Sequence, residues 1–419
     1  MLTGGTFFAQ GLAVIALPVL TRLYSPSDFN LLAIYSSLIG LMGVAASLRF
    51  NVAVALPERD EVAMDLLRLS MLSAAVLATL VGIVVWLIPG KLVEILGSPG
   101  FEPYLWMLPV GLFLASAYDA AQYWATRRKQ FVLITKTRLT RAVGGVGCQL
   151  SLSGVTPSAW GLIFGQMVYG GLGLVGILAS IWRQEGALFR RLDTARLVQT
   201  AKDYRRYPLV SVPEALLNTA ANELPVILIA TAAVGPEAGF LMLSLRVLGL
   251  PMALVGSSVG QVFLAEAPSR FLDGTIQSFT QKTMWRLAKV GAVPLLLIGA
   301  TAPAILPIVF GSEWSRTGEL VAWLTPWFVF QFVSSPVSMV LHVTGQLLTA
   351  MCIQLFGLIL RVGGVVLALR FSPAAVTEVF AVLSAVFYAS IIPIILWRLH
   401  RASGRWPQAG DRGRHRVKT

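Results

Sequence analysis

Residues 66–89 read LLRLSMLSAAVLATLVGIVVWLIP, 24 positions with a single charged side chain. A helix rises 1.5 Å per residue, so about 20 mostly apolar residues cross a hydrocarbon core of roughly 30 Å. This stretch is long enough to cross. Eleven more resemble it, giving twelve candidate spans. They run over about 4–20, 30–56, 66–89, 104–126, 138–154 and 158–182, then about 208–230, 237–265, 285–310, 318–342, 346–369 and 373–398. The fifth is short and rich in glycine (Gly144, Gly145, Gly147). Helices are the expected form. Open sheets leave backbone groups unsatisfied in lipid, and the alternating pattern of a barrel is absent.

Composition agrees. The 419 residues are 56% hydrophobic and 13% charged, with mean hydropathy +0.74. A soluble domain carries about a quarter charged residues. The formal net charge of +13 sits in short runs between apolar segments. It therefore points to membrane orientation and attraction to anionic lipids, not to nucleic acid. Two cysteines (Cys148, Cys352) and three scattered histidines (His342, His400, His415) give no disulfide framework and no zinc or haem spacing. No basic segment precedes the first apolar run, which is expected to be retained as the first span.

Lysine and arginine set the orientation. One set of connections holds Arg59, Arg127, Arg128, Lys129, Lys136, Arg138, Arg183, Arg190, Arg191, Arg196, Lys202, Arg205, Arg206, Arg270, Lys282 and Lys289. The tail adds Arg398, Arg401, Arg405, Arg412, Arg414, Arg416 and Lys418. The opposite set holds Arg22, Lys91, Arg316 and Arg370. Both termini are thus expected in the cytoplasm, which requires an even number of spans. The expected organisation is an N-lobe over 1–182, a basic cytoplasmic linker over 183–207, a C-lobe over 208–398 and a basic cytoplasmic tail over 399–419. The linker alternates Leu188, Leu192, Ala195, Leu197 and Val198 with charges, the pattern of an interfacial helix. A faint repeat supports two halves. Ser25-Pro26-Ser27-Asp28-Phe29-Asn30 opens the second span, and Gly235-Pro236-Glu237-Ala238-Gly239-Phe240 opens the eighth.

Polar residues at membrane depth cost roughly 3 kcal/mol or more when ionised, so they point to function. Four stripes share helical faces: Ser116, Asp119, Gln122 and Tyr123; Ser211, Glu214, Asn218 and Asn222; Gln331, Ser334, Ser335, Ser338 and His342; Gln354, Gly357, Arg361 and Gly364. Together they imply a hydrated cavity. Arg49, Arg246 and Arg361 are intramembrane guanidiniums, suited to bidentate phosphate binding. The candidate cavity residues are Arg49, Arg246, Arg361, Gln122, Asn218, Asn222, Gln331 and Gln354. The candidate ion-coupling residues are Asp119, Glu223 and Glu214. No catalytic or metal-binding residue is assigned. Depth along the helices puts Arg49 level with Asp119 and Glu223 level with Arg246, so these are expected ion pairs. The structural alternative stays open for each: arginines that fix register, serines that pack helices, and Gly249, Ala253, Gly256 and Gly260 as a close-packing stripe. Trp86, Trp106, Trp182 and Trp397 read as interface anchors.

Several segments resemble bacterial polysaccharide-biosynthesis flippases. Leu20-Thr21-Arg22-Leu23-Tyr24-Ser25-Pro26-Ser27-Asp28-Phe29 is similar to their first periplasmic turn. Leu48-Arg49-Phe50-Asn51-Val52-Ala53-Val54-Ala55-Leu56-Pro57 is similar to the end of their second span, with Asn51 where a glutamate is more usual. Tyr123-Trp124-Ala125-Thr126-Arg127-Arg128-Lys129-Gln130-Phe131 resembles the fourth-span exit. Arg246-Val247-Leu248-Gly249-Leu250-Pro251 with Gly260-Gln261-Val262-Phe263 resembles the eighth span. The likeness runs to about residue 270. It implies an all-α fold of about twelve membrane helices in two six-helix lobes around a central cavity, within the superfamily of multidrug exporters and lipid flippases. It also implies an inner-membrane protein that moves an undecaprenyl-pyrophosphate-linked oligosaccharide for O-antigen, capsule or exopolysaccharide synthesis. A polysaccharide polymerase and chain-length proteins become candidate partners. No cofactor is expected beyond H⁺ or Na⁺ as a coupling ion. The other readings are a cation-coupled multidrug exporter, a membrane polymerase or ligase, and a scaffold. Short connections on the outer side and the lack of a nucleophile–base constellation argue against an enzyme. The arginines argue against a site for cationic drugs.

Overall fold

The computed structural model describes residues 11, 12, 14–154, 158–190 and 193–403. The expected first span, 4–20, and the tail, 399–419, therefore fall partly outside the described residues. The first lobe holds α1 (Leu17–Leu23), α2 (Pro26–Ala46), α3 (Asp60–Leu87), α4 (Met107–Arg127), α5 (Phe131–Leu152) and α6 (Trp160–Arg190). The connection carries α7 (Thr194–Asp203). The second lobe holds α8 (Val212–Ala232), α9 (Glu237–Pro251), α10 (Ser257–Leu272), α11 (Ile276–Phe310), α12 (Ser315–Ser334), α13 (Leu347–Phe371) and α14 (Val376–Ser403).

Eight helical stretches among the described residues are long and apolar enough to cross a membrane by themselves. The chain is a multi-pass membrane protein. The eighth crossing is shared by α9 and α10. A π-helical turn over Met252–Gly256 follows Pro251 and separates them. A proline lacks the N–H that continues the ladder, and an i→i+5 turn absorbs the mismatch.

Within the first lobe α6 packs on both α4 and α5, and α3 packs on α4. Within the second, α12 packs on α11 and α14, and α13 on α8. The lobes meet along α2, which receives α8 and α9. The fold is thus all-α, with two six-helix lobes around a central cavity.

The two repeated turns lie against each other at this junction. Ser25 caps α2 in a capping box with Asp28, and Pro26 occupies the first turn, where its missing N–H costs nothing. The counterpart turn uses Gly235 at φ +77°. Gly239 then brings α9 so near α2 that a Cβ there would sit 2.2 Å from the Pro26 carbonyl oxygen. Further bonds close this end, the one opposite the basic connections. Trp314 Nε1 donates to the Thr21 carbonyl at 3.0 Å, and Asn30 Nδ2 donates to the Ala230 carbonyl at 3.0 Å. Arg22 Nη2 donates to the Ile308 carbonyl at 3.1 Å, and Phe29 meets Trp314 edge-on at 4.9 Å. Nearby, Arg316 holds Glu237, Glu319 and Glu378 at 3.0, 2.9 and 2.6 Å. That hub ties the starts of α9, α12 and α14 together.

Two boundaries differ from expectation. The second span does not run unbroken to residue 56. Leu48 and Arg49 take positive φ of 49° and 60°, which ends α2 at Ala46, and a short helix restarts over Phe50–Ala53. The fifth span begins at Phe131, not near residue 138. Gln130 N-terminal to it follows a left-handed Lys129 (φ 54°), so the turn is complete before the first basic residue of the helix.

The connection between the lobes is anchored on α3. Asp65, 0% exposed, takes Arg68 at 2.7 Å and Arg196 of α7 at 2.5 Å. The hydrogen bond to Asp65 raises the Arg196 guanidinium above its ordinary value. Removing one partner of a buried ion pair costs about 3–5 kcal/mol, because the other charge stays desolvated. Asp65→Ala is therefore expected to lower the midpoint of thermal denaturation in detergent far more than Arg196→Ala, whose partner Asp65 keeps Arg68. Equal losses would show that the anchor lies elsewhere.

Candidate functional site

A cavity of about 610 Å³ lies between the lobes. Its walls come from α1, α4, α5, α6 and α9. Three polar residues of α5 face it: Arg138 and Arg141 near the basic end, and Gln149 two turns deeper, with Gly145 between. Gln122 of α4, Gln166 and Tyr169 of α6, and Arg246 of α9 complete the polar lining, while Val14, Leu17 and Leu20 form an apolar side.

Small residues bring these groups together. A Cβ on Gly165 would fall 2.7 Å from the Gly145 carbonyl oxygen, and one on Gly145 would fall 2.8 Å from Tyr169 Cβ. Glycines at such crossings let membrane helices touch through their backbones. Contact between α5 and α6 places Arg141 between two rings. Its guanidinium lies 3.8 Å from the Tyr118 centroid and 4.5 Å from that of Tyr169, and Nε donates to the Tyr169 carbonyl at 2.5 Å. A cation over an aromatic face gains about 2 kcal/mol when desolvated, which offsets part of the cost of holding the charge at depth. Gly173 makes room for the stack: a Cβ there would lie 2.5 Å from the Tyr118 ring. Asp119, one turn from Gln122 on α4, is near enough to Arg141 for the two charges to interact. The cavity thus gathers three guanidiniums, two from α5 and one from α9, against one nearby carboxylate.

Of the residues read from the sequence, Arg246 and Gln122 line this cavity. Arg361 lies elsewhere. It is 0% exposed inside the second lobe, with Nη1 donating to Asn222 Oδ1 at 2.8 Å and its plane 4.6 Å from the Phe387 ring. Asn222 in turn donates to the Asn218 carbonyl at 2.8 Å, and Asn218 is exposed. Gln331 donates to Tyr388 at 3.2 Å beside this cluster. Gln354 and Glu214 are half-buried. Gly357 and Gly364, from the same stripe as Arg361, abut Phe387 and Leu383 of α14. That face therefore packs within the lobe.

The expected ion pairs do not form. No Arg49–Asp119 or Glu223–Arg246 contact falls within 4.0 Å among the described residues. Arg49 sits at the break after α2, and Asp119 interacts electrostatically with Arg141. Glu223 instead presses on α2, 3.3 Å from a Cβ built on Gly40 and next to Ser37. Depth along an axis gives no angle around it, and these groups have other neighbours.

Sequence reasoning missed Arg138 and Arg141 as cavity residues, taking Arg138 as a topology signal. The available sign was the spacing Arg138, Arg141, Gly145, Gln149, one continuous helical face.

This arrangement defines a class: a polytopic helical membrane protein whose lobes close at one end around a cationic, amide-lined cavity. Residues 19–319 match the family described as "Polysaccharide biosynthesis protein", and the chain belongs to that family. Among curated proteins none matches the sequence. Solved structures share the fold. The lipid II flippase MurJ in an inward-closed conformation superposes with TM-score 0.69 at 13% identity, over 96% of this chain and 90% of that one. An inward-facing multidrug-resistance MATE transporter of the MOP superfamily gives 0.57 at 16%, over 94% and 96%. A MATE transporter of Vibrio cholerae gives 0.55 at 11%, over 96% and 95%. At such identities the likeness is one of fold.

Proposed function

We propose that the protein is a flippase that carries a polyprenyl-pyrophosphate-linked oligosaccharide across the bacterial inner membrane. Undecaprenyl pyrophosphate is the expected carrier, and O-antigen, capsule or exopolysaccharide synthesis the expected setting. The observation that supports this reading is the convergence of Arg138, Arg141 and Arg246 on one cavity between the lobes. Guanidiniums bind phosphate oxygens in pairs of parallel hydrogen bonds and stay charged at every physiological pH. Gln122, Gln149 and Gln166 offer the amide donors and acceptors that sugar hydroxyls need.

The basic connections would lie in the cytoplasm with both termini, so the closed junction of α2 with α8 and α9 faces outward. The pyrophosphate and sugar would enter the cavity from the cytoplasm while the prenyl chain stays in lipid. Parting of the two repeated turns at Pro26 and Gly239 would then open the cavity outward, the rocking motion of alternating access. Glu223, pressed between α8 and α2, and Asp119, beside Arg141, are the carboxylates placed to couple such a motion to H⁺ or Na⁺.

The test is reconstitution in vesicles with a fluorescent polyprenyl-pyrophosphate oligosaccharide. Translocation should exceed that of protein-free vesicles, and a gradient of H⁺ or Na⁺ should change its rate. Rates indifferent to both gradients would remove the coupling role from Glu223 and Asp119. A cation-coupled drug exporter is the second reading. Uptake of a cationic dye without movement of the lipid-linked sugar would favour it over the first.

A further inference from the structure

A second hollow of about 500 Å³ lies between α10 and α11, apart from the central cavity. It exists because α10 turns its glycine face elsewhere. Gly256 and Gly260 pack on Pro336, 4.0 and 3.7 Å from the positions their Cβ atoms would take. Past the π-turn this face of α10 therefore lies on Pro336 and not on α11.

Each wall is one helical stripe, and both stripes change character in the same direction. On α10 the order from the membrane interior is Val259, Val262, Phe263, Glu266 and Arg270, below Val255 of the π-turn. On α11 it is Val290, Leu287, Arg286, Lys282 and Ser278. Val262 and Val290 are 58% and 60% exposed. From Val255 to Arg270 the rise is about 22 Å at 1.5 Å per residue. One leaflet, from midplane through headgroups, is roughly 20–22 Å thick. The groove thus spans one leaflet, apolar where acyl chains lie and cationic where phosphates lie. Its charges are Arg270, Lys282 and Arg286 against Glu266. The Arg270–Glu266 pair is 3.5 Å apart and half exposed at both ends, so it neutralises little. Phe279, stacked on Phe263 at 5.1 Å and lying 5.4 Å beneath the Arg270 guanidinium, forms the step between the two zones.

We propose that this groove is a binding site for one anionic phospholipid of the leaflet on the basic side, its phosphate held by Arg270, Lys282 and Arg286 and an acyl chain laid along Val262 and Val290. The site is independent of the flippase reading, since its occupant is a structural lipid and binding is read without transport.

The test uses the full chain, delipidated in detergent, and native mass spectrometry with added phosphatidylglycerol or phosphatidylcholine. Retention of one phosphatidylglycerol should exceed that of phosphatidylcholine by about tenfold, given the attraction of each basic residue to anionic headgroups. The triple variant Arg270→Gln, Lys282→Gln, Arg286→Gln should lose that preference. Val262→Trp, which fills the groove and leaves the charge unchanged, should lose the bound lipid. A variant with equal charge loss on the connection, Lys202→Gln, Arg205→Gln, Arg206→Gln, should keep it. Equal loss in the two triple variants would overturn the proposal in favour of general surface attraction. Retention in Val262→Trp would overturn the groove as the place. Displacement of phosphatidylglycerol by equimolar undecaprenyl phosphate would overturn the phospholipid as the occupant.

Discussion

Arg246→Ala is expected to slow translocation of a polyprenyl-pyrophosphate sugar roughly ten- to a hundredfold, because a hydrogen bond to a charged group is worth about 1.5–3 kcal/mol. Arg246 is the guanidinium that the second lobe contributes to the cavity lining, whereas Arg138 and Arg141 both come from α5 of the first. An anion held by all three bridges the lobes, and removing Arg246 removes the bridge as well as the charge. Arg141→Lys separates the two contributions. It keeps the charge, yet loses the planar stack between Tyr118 and Tyr169 and the fork that meets two phosphate oxygens. Its loss should therefore approach that of Arg141→Ala. Arg361→Met makes the contrast. That guanidinium is sealed inside the second lobe, so its loss should lower thermal stability. Full transport by Arg246→Ala in a well-folded preparation would sink the assignment of this cavity to the phosphates.

Gly239→Leu is expected to hold the protein open on the outer side. The new Cβ would meet the Pro26 carbonyl oxygen at 2.2 Å and the Asn30 nitrogen at 2.9 Å, and both are backbone atoms that cannot rotate aside. Relief requires α9 to leave α2, which undoes the Asn30–Ala230 and Phe29–Trp314 contacts beside it. Overpacking a close crossing typically costs about 1–3 kcal/mol, and about 1.4 kcal/mol is a tenfold change in a population, so the outward-open state should gain tenfold or more. The measurement is labelling of Gln122→Cys, in a background with Cys148 and Cys352 replaced, by a maleimide that cannot cross the membrane. Labelling from outside should rise by tenfold or more, and transport should stop because the outer end no longer closes. Unchanged labelling would mean that the helices slide past each other at this crossing, and that its closure does not gate the cavity.

The architecture was legible from the sequence because lipid imposes a coarse rule, apolar length, that survives ignorance of every contact. The repeated turns were legible too, since proline and a capping serine declare a helix start wherever they occur. The site was less so, for two different reasons. Arg138 and Arg141 lie on a helix whose start was placed seven residues late, so Arg138 was read as a loop charge and Arg141 was passed over. Arg49 looked mid-helix because nothing in Leu48-Arg49 announces two left-handed residues; a glycine there would have. The pairing of Glu223 with Arg246 failed on azimuth, and azimuth follows from packing partners that depth arithmetic does not include.

The same α5 has a consequence for how the chain is made. Its nine Leu, Ile, Val and Phe residues return roughly 4 kcal/mol on insertion, whereas a basic side chain costs about 3 at the centre of a span and less toward its end, and Lys136, Arg138 and Arg141 all fall in the first half of this one. Such a segment is expected to insert less readily than its apolar neighbours. Its glycine seam with α6 suits entry of the two as a hairpin, in which Tyr169 would arrive with the partner helix to cover Arg141. The wall that would grip the cargo would then be completed only after its neighbour has been synthesised.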